Sequence, residues 1–174
     1  MPWFKKRSDT PARVANDTSP NAVYSGLRQQ ALARKGADIG ITPSADAPAW
    51  GVLMESRYKS VTMTLMALGD GTTSMYLSNG GGVIGGQGHE AVRHVNAAFL
   101  NQANQSLSHL KRCETFPIPE LGQTIFYVLT DSGVLTGSGA DDHLANGNHQ
   151  LSTLFHAGHA VINQLRVASE TGDA

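Results

Sequence analysis

Between residues 61 and 67, Val61, Met63, Leu65 and Ala67 alternate with Thr62, Thr64 and Met66, and Asp70-Gly71 follows at once. A period of two is the signature of a strand with two unlike faces. Asp-Gly supplies a tight turn, because glycine accepts positive φ and the aspartate closes an Asx turn. Such a turn joins antiparallel neighbours, whereas parallel strands need a long crossover. Trp50–Glu55 before it and Thr73–Leu77 after it have strand character, so residues 50–78 read as a β-meander.

A second hairpin is predicted from Ile125–Thr130, the turn Asp131-Ser132-Gly133, and Val134–Thr136. Its first strand is apolar on both faces, as in a strand covered on both sides. Helices are expected before, between and after these ribbons. Ser19-Pro20 reads as a cap and first helical position, with Gly36 as the stop, which gives a helix over 20–35. Ala91, Val92, Val95, Ala98, Phe99, Ala103, Leu107 and Leu110 trace a stripe over 89–110, and Leu151, Leu154, Phe155, Val161 and Leu165 another over 151–168. The expected fold is α+β: a five-stranded, mostly antiparallel sheet flanked by about three helices. The layout resembles the profilin-like and roadblock/longin-like sandwiches, although those divide their strands differently around the middle helix.

A chain of 174 residues suits one domain. Residues 1–35 carry seven basic and two acidic side chains, and the remainder six and twelve, so a basic arm (1–19) precedes an acidic body (20–174). The net charge of −1 argues against a nucleic-acid-binding domain. Contact of the arm with nucleic acid or membrane is a third, weaker reading. Cys113 stands alone, which rules out an intrachain disulfide. No secretory signal and no run of ~18 apolar residues is present, so the expected location is the cytoplasm.

The segment from Ser78 to Glu90 is the one unusual feature. Ser78, Asn79, Gly80, Gly81, Gly82, Gly85, Gly86, Gly88 and His89 form a glycine-rich link from a strand to a helix N-terminus, the geometry that gathers N–H groups around an anion. It lacks the Gly-Lys-Ser/Thr ending of a P-loop. The plainer reading has the glycines turning the chain sharply while Val83 and Ile84 tuck against the sheet. Trp50–Glu55, Asp70–Tyr76, Gly80-Gly-Gly-Val-Ile-Gly-Gly, His89-Glu90-Ala91-Val92 and Leu151–Gly158 together resemble an uncharacterised bacterial protein family over about residues 22–169. That resemblance implies a bacterial cytosolic protein and carries no activity with it.

His143, His149, His156 and His159 cluster near Asp141 and Asp142, but without the spacing of helical zinc sites. Ser78, Ser132 and Cys113 are formal nucleophiles, and none lies in a recognisable elbow or beside an assignable base. Lys111-Arg112 beside Cys113 would lower its pKa if the thiol were exposed. No catalytic residue, metal site or cofactor is assigned. The sequence favours a non-catalytic binding or scaffold domain acting as a homodimer, with the small-residue face of the last helix available to a partner. The alternative is an enzyme or sensor that holds a phosphorylated small molecule at the 79–89 loop.

Overall fold

The computed structural model describes residues 19–171, so all but the last residue of the basic arm lies outside the described residues. Helix α1 (Pro20–Ala33) begins where the sequence places it: Ser19 accepts a hydrogen bond from the Ala22 N–H at 3.3 Å, and Pro20 occupies the first turn. After a 3-10 turn at Gly36–Ile39 come β1 (Ala49–Tyr58), β2 (Val61–Leu68) and β3 (Thr73–Leu77), the expected meander. A short β4 (Gly82–Ile84) follows, and then α2 (Glu90–Gln105), β5 (Lys111–Cys113), β6 (Gln123–Thr130) and β7 (Gly133–Ala140). Helices α3 (Asp141–Ala145) and α4 (Ser152–Thr171) close the chain.

Among the described residues the sheet has seven strands in the order β4-β3-β2-β1-β6-β7-β5, and every pairing is antiparallel. This corrects the five-stranded expectation, while the α+β class and the two ribbons stand. The two extra strands are three-residue edges without apolar alternation, so the period-two signal cannot detect them. β4 arises inside the glycine-rich segment, and β5 is Lys-Arg-Cys. The middle helix stops at Gln105, and a 3-10 turn at Leu107–His109 takes up the rest of the predicted stripe. Residues 137–150, between the predicted hairpin and the last predicted helix, hold the second half of β7 and α3. Gly137 and Gly139 hid that strand. A Cβ on Gly137 would lie 2.7 Å from Leu110 and 2.8 Å from Leu151, so close packing needs the glycine there.

The strands sort side chains to two faces. Val52, Met54, Leu65, Ala67, Phe126 and Val128 face α2 and α4, with Phe99, Leu154, Val161 and Leu165 in the main core. Gly158 of α4 lets the helix sit on the sheet, since a Cβ there would be 2.6 Å from the Met54 sulfur. That small-residue face is therefore used within the chain. The opposite face carries Trp50, Leu53, Leu68, Tyr127 and Leu129 against Ala31 and Leu32 of α1. One helix thus lies across a seven-stranded sheet, and clefts remain on both its flanks.

Candidate functional site

Glu55 follows Leu53 on the α1 face of β1 and is fully buried. A buried carboxylate needs a partner, and α1 brings one. The Arg28 guanidinium donates from Nε to Glu55 Oε1 at 2.7 Å and from Nη2 to Oε2 at 2.8 Å. This is the bidentate fork that makes such pairs strong. Nη2 also donates to the carbonyls of Phe116 at 2.9 Å and Pro117 at 3.3 Å. Thr64 of β2 donates to Glu55 Oε1 at 2.9 Å, which leaves Tyr24 OH to donate to Thr64 Oγ1 at 2.8 Å. The Tyr127 hydroxyl donates to the Pro117 carbonyl at 2.5 Å, and its ring lies 5.6 Å below the Arg28 charge.

Burial works against the charge on Arg28, but hydrogen bonding and attraction from Glu55 outweigh it, so its pKa is raised. Burial, and then the Glu55 charge, push the Tyr127 phenol up to about 12 and raise Tyr24 as well. The same two causes raise Tyr76, whose hydroxyl is buried with no hydrogen-bond partner among the described residues. These phenols remain neutral at any ordinary pH. The network is a latch joining α1, β1, β2 and the 114–118 segment.

Beside the latch, α1 and the 114–118 segment enclose a cleft of about 680 Å³. Its walls are Tyr24, Ser25, Gln29 and Leu32 on one side and Thr115 and Phe116 on the other. A second cleft of about 370 Å³ lies at the C-terminal end of α1 against β6 and β7. A third of about 180 Å³ separates Leu27 and Ala31 from Tyr76 and Ile84. None of these walls was selected from the sequence. The signal that was there is Glu55 itself, a carboxylate at the inward position of an otherwise apolar strand.

The glycine-rich residues are divided by the fold. Ser78, Asn79, Gly80 and Gly81 make the β3–β4 turn, where Ser78 Oγ accepts from the Thr62 N–H at 2.9 Å. Gly82, Gly85, Gly86 and His89 line a separate surface hollow of about 310 Å³ with Ala168 and Ser169 of α4, and Gly88 is not among its lining residues. Glycine is required at Gly82, where φ is +146° and a Cβ would sit 2.2 Å from the Met75 carbonyl oxygen. It is required at Gly86, where a Cβ would lie 2.4 Å from the buried Leu165 side chain. Val83 packs on the core as expected, but Ile84 is 75% exposed.

Among the other candidates, Ser132 Oγ lies 3.0 Å from Thr130 Oγ1, and the Cys113 thiol points at the Val134 carbonyl at 3.7 Å. Burial raises the Cys113 pKa, opposite to the effect expected of an exposed thiol beside Lys111 and Arg112. His149 Nδ1 accepts from the Leu151 N–H at 3.1 Å. His159 packs on Phe155 at 4.3 Å between centroids, and burial, with help from His156, holds its pKa below the ordinary value. Among the described residues no group of three His, Cys, Asp or Glu side chains is placed to hold a metal ion, and no helix is long and apolar enough to cross a membrane. No protein-family model, curated protein or solved structure matches this chain, so neither the bacterial-family resemblance nor the profilin-like and roadblock-like likeness gains a counterpart.

Proposed function

We propose that this protein is a non-catalytic binding domain whose recognition surface is the α1 side of the sheet, centred on the cleft between α1 and residues 114–118. The observation that carries this reading is the Arg28 latch. One guanidinium holds the helix, the sheet and the 114–118 segment together, so both walls of the 680 Å³ cleft are fixed before a ligand arrives. Preformed clefts of roughly 300–1,000 Å³ with a few polar groups among apolar walls are the usual form of small-molecule sites. Ser25, Gln29 and Thr115 supply the polar groups here, and Leu32, Phe116 and Ile118 the apolar ones. The Arg28 charge is already committed to Glu55 and Glu114 also lines the cleft, so the cleft suits a partly apolar ligand or side chain that carries no negative charge.

The homodimer belongs to the same proposal. Ile118 and Leu121, 49% and 65% exposed on the segment beside the cleft, are the surface a second copy would cover. Light scattering at low micromolar concentration should report twice the chain mass. A clean monomer removes this part of the proposal.

A fragment screen by ¹H–¹⁵N correlation spectra tests the cleft. Binders should perturb residues 24–33 and 114–118 together, and Ser25→Trp should abolish their binding while leaving the rest of the spectrum in place. Perturbations confined to residues 79–89 would instead favour the glycine-rich hollow and overturn the assignment.

A further inference from the structure

The 114–118 segment also borders a cleft of about 470 Å³ that no residue of α1 lines. Its walls are the start of β5, parts of β6 and β7, and residues 149–151 ahead of α4. Lys111, His109 and His149 line it, and no acidic side chain does. Glu114, the acid of the same segment, lines the α1 cleft instead. Among the described residues the Lys111 ammonium has neither an ion pair nor a hydrogen bond. With both imidazoles neutral, Lys111 gives the wall a single positive charge that one anionic group would answer.

Two neutral donors stand beside that charge. The Asp141 N–H donates to the Gly122 carbonyl at 2.9 Å, one step past the Gln123–Ala140 pair. That sets the phase of the ladder: odd-numbered residues of β7 bond to β6, and even-numbered ones turn their N–H groups outward. Cys113 and Lys111 pair with Val134 and Thr136, and β5 begins at Lys111, so the next outward N–H, that of exposed Ser138, has no acceptor among the described residues. The second donor is His149. Its Nδ1 accepts from the Leu151 N–H, so the neutral ring carries its proton on Nε2. That N–H has no acceptor among the described residues and keeps some exposure to solvent. A Cβ on Gly139 would lie 3.2 Å from this nitrogen, which places the ring against the free margin of β7. Lys111 is opposite Thr136, Ser138 is two residues on, and Gly139 follows. All three donors thus meet one strand within about three residues, roughly 10 Å.

We propose that this cleft binds a small molecule with an apolar body and one oxyanion group, a carboxylate or a phosphate. An ionised oxyanion only accepts hydrogen bonds, which matches a wall of donors, and bonds to it are the stronger for its charge. The oxyanion lies among the Lys111 ammonium, the Ser138 N–H and the His149 Nε2–H, and the body lies over Pro117 and Ile125. A neutral amide would leave the Lys111 charge unanswered and would bring donors of its own to groups that already donate.

The test titrates benzoate and phenyl phosphate into the full chain and follows ¹H–¹⁵N correlation spectra, with benzamide as the neutral counterpart of benzoate. At least one anion should give saturable shifts centred on residues 109–111, 136–138 and 149–151, and the tighter of the two identifies the oxyanion. Benzamide should bind more weakly than that anion by about ten-fold or more, the equivalent of one modest polar contact. Lys111→Gln removes the charge from an exposed position. His149→Asn keeps an oxygen to accept from the Leu151 N–H while deleting the Nε2 donor. Each should weaken binding of the anion by about ten-fold while the far-ultraviolet circular dichroism is retained. The proposal is overturned if neither anion gives a saturable shift up to its solubility limit, if benzamide binds as tightly, or if Lys111→Gln binds like the parent. Shifts confined to residues 24–33 or 79–89 overturn it as well.

Discussion

The Arg28–Glu55 latch makes a quantitative prediction. Arg28→Ala leaves the Glu55 carboxylate fully buried with only Thr64 donating to it, and removes the Arg28 donor from the Phe116 carbonyl, while the Pro117 carbonyl keeps Tyr127. Removing one member of a buried ion pair typically costs about 3–5 kcal/mol, because the survivor's charge stays desolvated and unpaired. The Arg28 side chain is 12% exposed and that of Glu55 0%, so solvent screening reduces the cost little. Against a total stability of roughly 5–15 kcal/mol this is a large fraction. With a urea m-value of about 2 kcal/mol/M, the midpoint should fall by roughly 2 M. The companion variant Arg28→Met/Glu55→Met removes both charges. Replacing a buried pair by apolar residues of similar volume is often neutral or stabilising, so the double variant should regain most of the loss. Urea unfolding followed by circular dichroism measures both. If Arg28→Ala unfolds within about 1 kcal/mol of the parent, or the double variant is no more stable than the single one, the pair is not what holds α1 to the sheet.

Three further outcomes follow from other sites. Tyr76→Phe removes a buried hydroxyl that has no partner among the described residues, so its melting temperature should equal or exceed that of the parent, by up to about 1 kcal/mol of stability. Gly82→Ala should destabilise by roughly 3 kcal/mol or more, because the new Cβ meets the Met75 carbonyl at 2.2 Å; Gly81→Ala, with φ of +87° and nothing within 4 Å, should cost only about 1–2 kcal/mol. Urea midpoints of the two variants decide whether backbone crowding or φ alone governs this turn. His159 has its pKa lowered in the fold. As the pH falls below about 6.5 the unfolded chain takes up a proton that the buried imidazole resists, so stability should decline there, and His159→Phe should flatten the decline in melting temperature.

The elements with strong periodicity were legible in the sequence. Alternation at 61–67 with Asp70-Gly71 gave β2 and its turn, and Ser19-Pro20 gave the start of α1, because caps and tight turns are written in consecutive residues. The edges were not legible. Lys111–Cys113 becomes a strand only because Val134–Thr136 runs alongside it, a tertiary cause that leaves no local pattern. The 79–89 segment was singled out for its glycines, and two of them answer neighbours outside it, Met75 on the adjacent strand for Gly82 and Leu165, far along the chain, for Gly86. Arg28 was counted among the seven basic residues of 1–35, although among the described residues it is drawn into an internal ion pair with Glu55. Composition records that a charge exists, not which face of a helix carries it. Glu55 was the readable half of the pair, since an acid among inward-facing apolar residues implies a cation somewhere opposite.

The sheet terminates in stubs at both ends, since its outermost members are the three-residue strands Gly82–Ile84 and Lys111–Cys113. A foreign chain seeking to extend it finds only a few backbone groups in line before the strand turns away, and at one end these are flanked by Lys111 and Arg112. Short and charged margins are how β-proteins discourage edge-to-edge growth into aggregates. A chain that devotes its longest strands to the interior and its poorest to the perimeter should therefore stay dispersed at high concentration, and assemble through side-chain surfaces rather than by lengthening the ladder.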